Sequence, residues 1–215
     1  PVVFDPSTAG QLLGALCGAV NGGSVYRKMS FLAGKLGQTV ASPLVSVVDD
    51  PLLPAGMASR PFDAEGTPSR RTAVVEKGIL KSFLCDSYAG RKLNLASTGN
   101  ASRPPGESVS VSPTNFWMEA GTTAPEAILA GVKNGLFVTG LMGFGVNGVT
   151  GDYSQGAEGI WIENGELTHP VQEITIAGNL LKMLQDIDAV GTDLTHRGAL
   201  NAPTTGAGSV TTSFN

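Results

Sequence analysis

The chain has 215 residues, 41% hydrophobic and 15% charged, which is enough for one large or two small domains with a real core. That balance is against intrinsic disorder, which needs weak hydrophobicity and high net charge. With a net charge of −4, and 14 Lys and Arg scattered among 18 Asp and Glu, there is no basic cluster to neutralise phosphates, and no nucleic-acid partner is expected.

Along the chain, Asp5-Pro6 opens a helix, since Asp caps and Pro tolerates the first turn. Leu12, Leu13, Leu16, Ala19 and Val20 recur at helical spacing, and Asn21-Gly22-Gly23 is expected to stop it with a left-handed glycine. A short helix is possible within 24–40. Leu44–Val48 reads as a buried strand, 51–71 as a long ordered loop of the kind that carries function. Thr72–Glu76 and Ile79–Cys85 flank Lys77-Gly78 as a hairpin. Ser87–Leu93 reads as helix, 97–112 as a flexible excursion and Asn115–Glu119 as strand. Pro125–Val132 is a helix and Leu136–Met142 a strand. Asn164-Gly165 is a strong hairpin signal between 157–163 and 166–168, with Val171–Ile176 as a third strand. Asn179–Ile187 reads as a short helix, and Ala189-Val190 starts a last strand. The sum is an α+β fold, mostly antiparallel and barrel-like, with a few short helices.

Local chemistry is sparse. Gly143–Gly148 matches GxGxxG after a strand, but no helix follows to receive a pyrophosphate, so a close backbone bend is the better reading. His169 and His196 stand alone. Asp49-Asp50 is the best carboxylate pair, yet neighbours on a strand point to opposite faces. No GxSxG elbow accompanies the serines. Asp63, Glu65, Asp86, Asp152, Glu163 and Glu166 offer carboxylates, and nothing singles out a pair. Cys17 and Cys85 lie in apolar surroundings and read as buried free thiols of a reducing compartment. No apolar run is long enough to span a membrane, and no secretion signal is visible. The start at Pro1 points to a processed or trimmed product.

Five longer strings are distinctive: YRKMSFL (26–32), SRPFDAEGTPSR (59–70), SYAGRKLNLASTGNA (87–101), GVNGVTGDYSQGAEGIWIENGE (145–166) and EITIAGNLLKML (173–184). In this order they resemble the C-terminal part of the TldD/PmbA family, on the PmbA branch also called TldE, over nearly the whole chain. The resemblance implies that residues 1–215 form the strand-rich C-terminal domain, with the family's N-terminal domain absent from this chain. It also implies a cytoplasmic zinc metalloprotease system, first named for modulation of DNA gyrase, that cleaves peptides. Its working unit pairs a TldD-type with a TldE-type chain.

In the TldD branch the first helix carries His-Glu-three residues-His after a leucine pair, so that imidazoles hold zinc and the Glu polarises water. Aligned on Leu12-Leu13, the two His positions fall on Gly14 and Ala19 and the Glu on Ala15. A late Cys is the third ligand; its place falls near Ala202 or Pro203, and 197–206 holds no Cys. The resemblance therefore implies no catalytic residue and no metal here, with zinc in a TldD-type partner. The small residues suggest a helix packed closely on another element. Arg91, Asp152 and Tyr153 are candidates for a peptide groove, with turns or a subunit interface as the plainer role for their strings. The partner would be a TldD-type subunit or a second copy, with a peptide substrate and neither nucleic acid nor membrane. Alternatives are an autonomous hydrolase using other residues, or a peptide-binding homodimeric scaffold.

Overall fold

The computed structural model describes residues 1–143 and 145–208, and 211–214 as backbone. In chain order the elements are β1 (Val2–Phe4), α1 (Pro6–Ala19), α2 (Gly22–Tyr26), β2 (Val47–Asp49), β3 (Thr72–Glu76), β4 (Ile79–Leu80) and α3 (Ser87–Leu93). Then come β5 (Ala101–Ser102), β6 (Ser110–Val111), β7 (Phe116–Met118), α4 (Pro125–Ala130), β8 (Asn134–Met142), β9 (Asp152–Glu163) and β10 (Glu166–Asn179). The last are α5 (Leu180–Gln185), β11 (Ile187–Val190), β12 (Leu200–Asn201), β13 (Thr205–Ala207) and β14 (Thr211–Phe214).

The α+β class holds, and antiparallel pairing dominates: among the described strands only β1 with β8 and β12 with β7 run parallel. The barrel-like expectation is corrected. A seven-stranded sheet runs β11-β13-β1-β8-β9-β10-β14, a five-stranded one β12-β7-β2-β3-β4, and β5-β6 form a small third. Each has two edges, so none of them closes on itself.

Helix α1 lies between the two large sheets, touching β1 and β8 of one and β7 and β12 of the other. Leu12, Leu13, Leu16 and Cys17 are buried there, in a core continuous with Phe4, Leu136, Phe116 and Met118. Asp5 starts the helix as expected, its side chain accepting the Thr8 N–H at 2.7 Å. Its end differs from the expectation. Val20 closes α1 at φ −87°, and the Asn21 side chain accepts the Gly23 and Ser24 N–H groups to cap α2. Gly22 serves packing instead, because a Cβ there would lie 2.7 Å from Cys85 Sγ and 2.8 Å from the Leu84 carbonyl oxygen.

Several boundaries shift. β2 spans Val47–Asp49 rather than 44–48, and β4 stops at Leu80, beyond which residues 81–83 leave the sheet. The 97–112 excursion contains the β5–β6 pair. Residues 166–179 form one continuous strand. Its outer half, 166–173, is almost wholly exposed, carries Pro170 and two register shifts against β9, and is left uncovered by β14, which pairs only with Ile174–Ala177.

Candidate functional site

One stripe of α1 faces open space. Ser7, Gly10, Gln11 and Gly14 recur at helical spacing and form one wall of a cavity of about 780 Å3. The other wall comes from the segment between β11 and β13, chiefly Asp193, Thr195, Arg197, Leu200 and Ala202.

Side-chain bonds to the backbone shape these walls. Asp5 Oδ1 accepts from both the N–H and, at 2.7 Å, the hydroxyl of Thr8. Asn201 Oδ1 accepts from the Arg197 and Gly198 N–H groups at 2.8 and 3.1 Å, and its Nδ2 donates to the Gly198 carbonyl at 2.7 Å. That closes the 197–201 turn. Asp193 accepts the Thr204 N–H at 3.0 Å and the Thr204 hydroxyl at 2.7 Å, anchoring the irregular stretch to the strand that follows.

The positions aligned with a metal site divide. Gly14 and Ala202, distant in sequence, meet on the same cavity. Ala15 is half-buried against the core, and Ala19 is buried. Close helix packing accounts for Ala19 but not for the glycines. A Cβ on Gly10 or Gly18 would meet nothing within 4 Å, and one on Gly14 only Leu200 Cδ1 at 3.8 Å, an ordinary contact. Gly10 and Gly14 widen the cavity rather than admit a neighbour, while Gly18 faces open space outside it.

The residues present do not fit a catalytic zinc, which takes three protein ligands and keeps one position open. Gly14, Ala15, Ala19 and Ala202 carry no donor atom. Among the described residues no three His, Cys, Asp or Glu side chains gather where an ion could sit. His196 packs edge-on against Trp117, ring centroids 5.0 Å apart, and His169 is exposed with Nδ1 3.0 Å from the Thr168 hydroxyl. Both cysteines are free and buried, as expected. Burial, then the Asp49 charge, pushes the Cys17 thiol up to about 12, and burial, then Asp86, pushes Cys85 up to about 11. Neither is a thiolate near neutral pH.

The other candidates serve structure. Asp49 and Asp50 diverge. Asp49 is 1% exposed, its Oδ1 accepting the Thr114 N–H at 2.7 Å and its Oδ2 accepting from Asn100 Nδ2 at 2.7 Å and the Thr114 hydroxyl at 3.0 Å. Burial raises its pKa above the ordinary value despite these donors. Asp50 instead accepts the Leu52 N–H in a turn. Asp63 braces its own loop and Ala101, Asp86 caps α3, and Glu65 accepts from Ser87. Glu163 and Glu166 face each other across the Asn164-Gly165 turn.

Of the groove candidates, Tyr153 is buried with its hydroxyl donating to Gln155 at 2.7 Å, and burial raises its pKa. Asp152 is exposed and accepts the Thr150 hydroxyl at 2.6 Å. Arg91 is exposed in the last turn of α3, a different element. The glycine motif at 143–148, whose Phe144 lies outside the described residues, is the expected bend: Gly145 backs onto the Ser154 carbonyl, leaving no room for a Cβ. Among the described residues no helix is long and apolar enough to cross a membrane. Gln11, Asp193, Thr195 and Arg197 were not foreseen as site residues. The exposed stripe of α1 was the available signal for Gln11, and nothing local marked the other three.

Residues 1–213 match the family defined by the PmbA/TldA metallopeptidase C-terminal domain. The chain is 44% identical over 198 residues to the metalloprotease PmbA of Escherichia coli O157:H7, covering 92% of this chain and 42% of that protein. A proposed modulator of DNA gyrase from Thermotoga maritima superposes with a TM-score of 0.90 at 33% identity, over 99% of this chain and 49% of that one. TldE from Thermococcus kodakarensis superposes with a TM-score of 0.86 at 27% identity, over 95% and 48%. The chain thus spans less than half the length of these relatives.

Proposed function

The chain belongs to the PmbA/TldD metallopeptidase family, and we propose that within it this protein is the non-catalytic, TldE-like partner in a cytoplasmic zinc metalloprotease acting on peptides. What supports this reading is the α1 cavity, lined by both Gly14 and Ala202, the positions that the resemblance aligns with a His and a Cys. The cavity's carboxylates, Asp5 and Asp193, are engaged with Thr8 and Thr204, and no imidazole or thiolate joins them to make the three-ligand set a catalytic zinc needs. On this reading zinc and base come from a TldD-type companion carrying His-Glu-three residues-His. This chain would enclose the peptide chamber with it, and the exposed Arg91 and Asp152 are offered as peptide contacts. A complex with a second copy of itself would lack both zinc and base.

The test uses the full-length protein. Metal analysis is expected to find well under one zinc per chain. A reporter peptide should be cleaved only after a TldD-type companion is added, and chelator should stop the cleavage. One tightly bound zinc per chain, or chelator-resistant cleavage by the protein alone, overturns the reading.

A further inference from the structure

We infer that Asn147-Gly148 is a site of spontaneous covalent modification, where the asparagine converts to isoaspartate while the fold protects three identical dipeptides in the same chain. An asparagine followed by glycine cyclises readily, because glycine has no Cβ to obstruct its nitrogen as it turns onto the side chain. The chain holds four such pairs, beginning at Asn21, Asn134, Asn147 and Asn164.

Three of them are locked. The Gly22 N–H donates to the Leu84 carbonyl at 2.8 Å, and Asn21 Nδ2 donates to the Val111 carbonyl at 3.0 Å. The Gly165 N–H donates to the Val132 carbonyl at 2.8 Å. Gly135 is buried within β8, paired to β9 and packed so tightly that a Cβ would lie 2.7 Å from the Pro1 carbonyl oxygen. Asn147-Gly148 is different. Both residues are exposed, and among the described residues neither the Gly148 N–H nor Asn147 Nδ2 makes a hydrogen bond. The attacking and leaving nitrogens are therefore both unrestrained. Asn147 Oδ1 accepts the Val149 N–H at 2.9 Å and the Thr150 N–H at 3.3 Å. These donors draw charge from Cγ and stabilise the oxyanion that forms on attack.

The Gly148 nitrogen gives its proton to base and bonds to Asn147 Cγ. The Cγ–Nδ2 bond then breaks, and Nδ2 takes up a proton and leaves as ammonia. Water opens the succinimide ring at one carbonyl to aspartate or at the other to isoaspartate. Isoaspartate carries the main chain through Cβ and lengthens it by one atom. The turn it enters is tied to two other segments: the Phe31 N–H donates to the Gly148 carbonyl at 2.9 Å, and the Leu180 N–H to the Gly151 carbonyl at 2.6 Å. Conversion loosens both ties.

The full-length protein, folded and urea-unfolded, is held at mildly alkaline pH, and each Asn-Gly pair is read by peptide mass mapping and isoaspartyl methyltransferase labelling. In the folded protein Asn147 should convert about tenfold faster than the other three, and unfolding should bring the four rates together. Gly148→Ala, whose methyl would meet only the Met29 carbonyl oxygen at 3.7 Å, should keep the fold and slow conversion about tenfold. The Phe31 and Leu180 amides should exchange with deuterium faster in the converted fraction. Another pair converting as fast as Asn147 in the folded protein, no conversion at Asn147 by the time its unfolded counterpart is half converted, or an undiminished rate in Gly148→Ala overturns the inference. Unchanged exchange at Phe31 and Leu180 overturns the loosening.

Discussion

The surroundings of Asp49 and the cavity beside α1 are opposites. Around Asp49, a carboxylate and an amide are sealed in and tie β2 to Asn100 and Thr114. Beside α1, the space is open and the key positions carry a hydrogen or a methyl group. A buried group with a displaced pKa is a common pointer to a functional site. Here that pointer leads to a structural brace, and the place we propose for function is marked by missing side chains.

Four substitutions at three positions would break or sharpen this contrast. Asp49→Ala should have the largest effect. It leaves one Asn100 Nδ2 proton and both Thr114 donors without their acceptor in the interior, while Nδ2 keeps only its bond to the Ser112 carbonyl, a loss of about 3 kcal/mol, read from urea denaturation. A loss below ~1 kcal/mol would show that Asp49 is no brace. A milder change, Asp49→Asn, isolates the charge. Because the native pKa is raised, the folded protein keeps a proton that the unfolded chain releases near the ordinary value of 3.8. The stability this adds is full below 3.8 and lost as pH rises through the native value. Wild type should therefore gain on Asp49→Asn as pH falls from 7 towards 4, and a constant difference would refute the assignment.

Gly22→Ala comes next. Its Cβ would collide with the Leu84 carbonyl oxygen, which is backbone and cannot swing away, so a loss of about 1–3 kcal/mol is expected. Gly10→Ala is the smallest and has the opposite sign. The added methyl meets nothing, and relief of glycine's backbone entropy in a helix should add about 0.5–1 kcal/mol. Thermal melting separates the two. A destabilised Gly10→Ala would mean that something packs on the stripe we read as a cavity wall.

Features written locally were legible from the sequence. The Asp5-Pro6 start of α1 is a capping signal, and Asn164-Gly165 turns with φ 52° and 84°, the conformation this pair tolerates best. Lys77-Gly78 behaves likewise, at φ 47° and 80°. What stayed hidden depends on distant partners. β1 has three residues, too few for periodicity to show, and becomes a strand because β8 and β13 flank it. β13 is Thr-Gly-Ala, a sequence with no strand signal of its own, held between β1 and β11. Pro170 argues against a continuous strand, yet β10 runs through it because no neighbour needs its missing N–H there. The site divided the same way. Resemblance pointed to Gly14 and Ala202 separately, but their meeting on one cavity with Arg197 and Asp193 is a property of the tertiary fold.

The uncovered half of β10 has one more consequence. A long bare rim on a seven-stranded sheet invites other molecules to add strands and grow into fibres. Pro170 removes a donor in the middle of that rim, and the irregular steps beside it spoil the spacing a newcomer would need. Replacing that proline alone would restore a donor to the exposed edge, leaving only the irregular steps beside it to deter a newcomer.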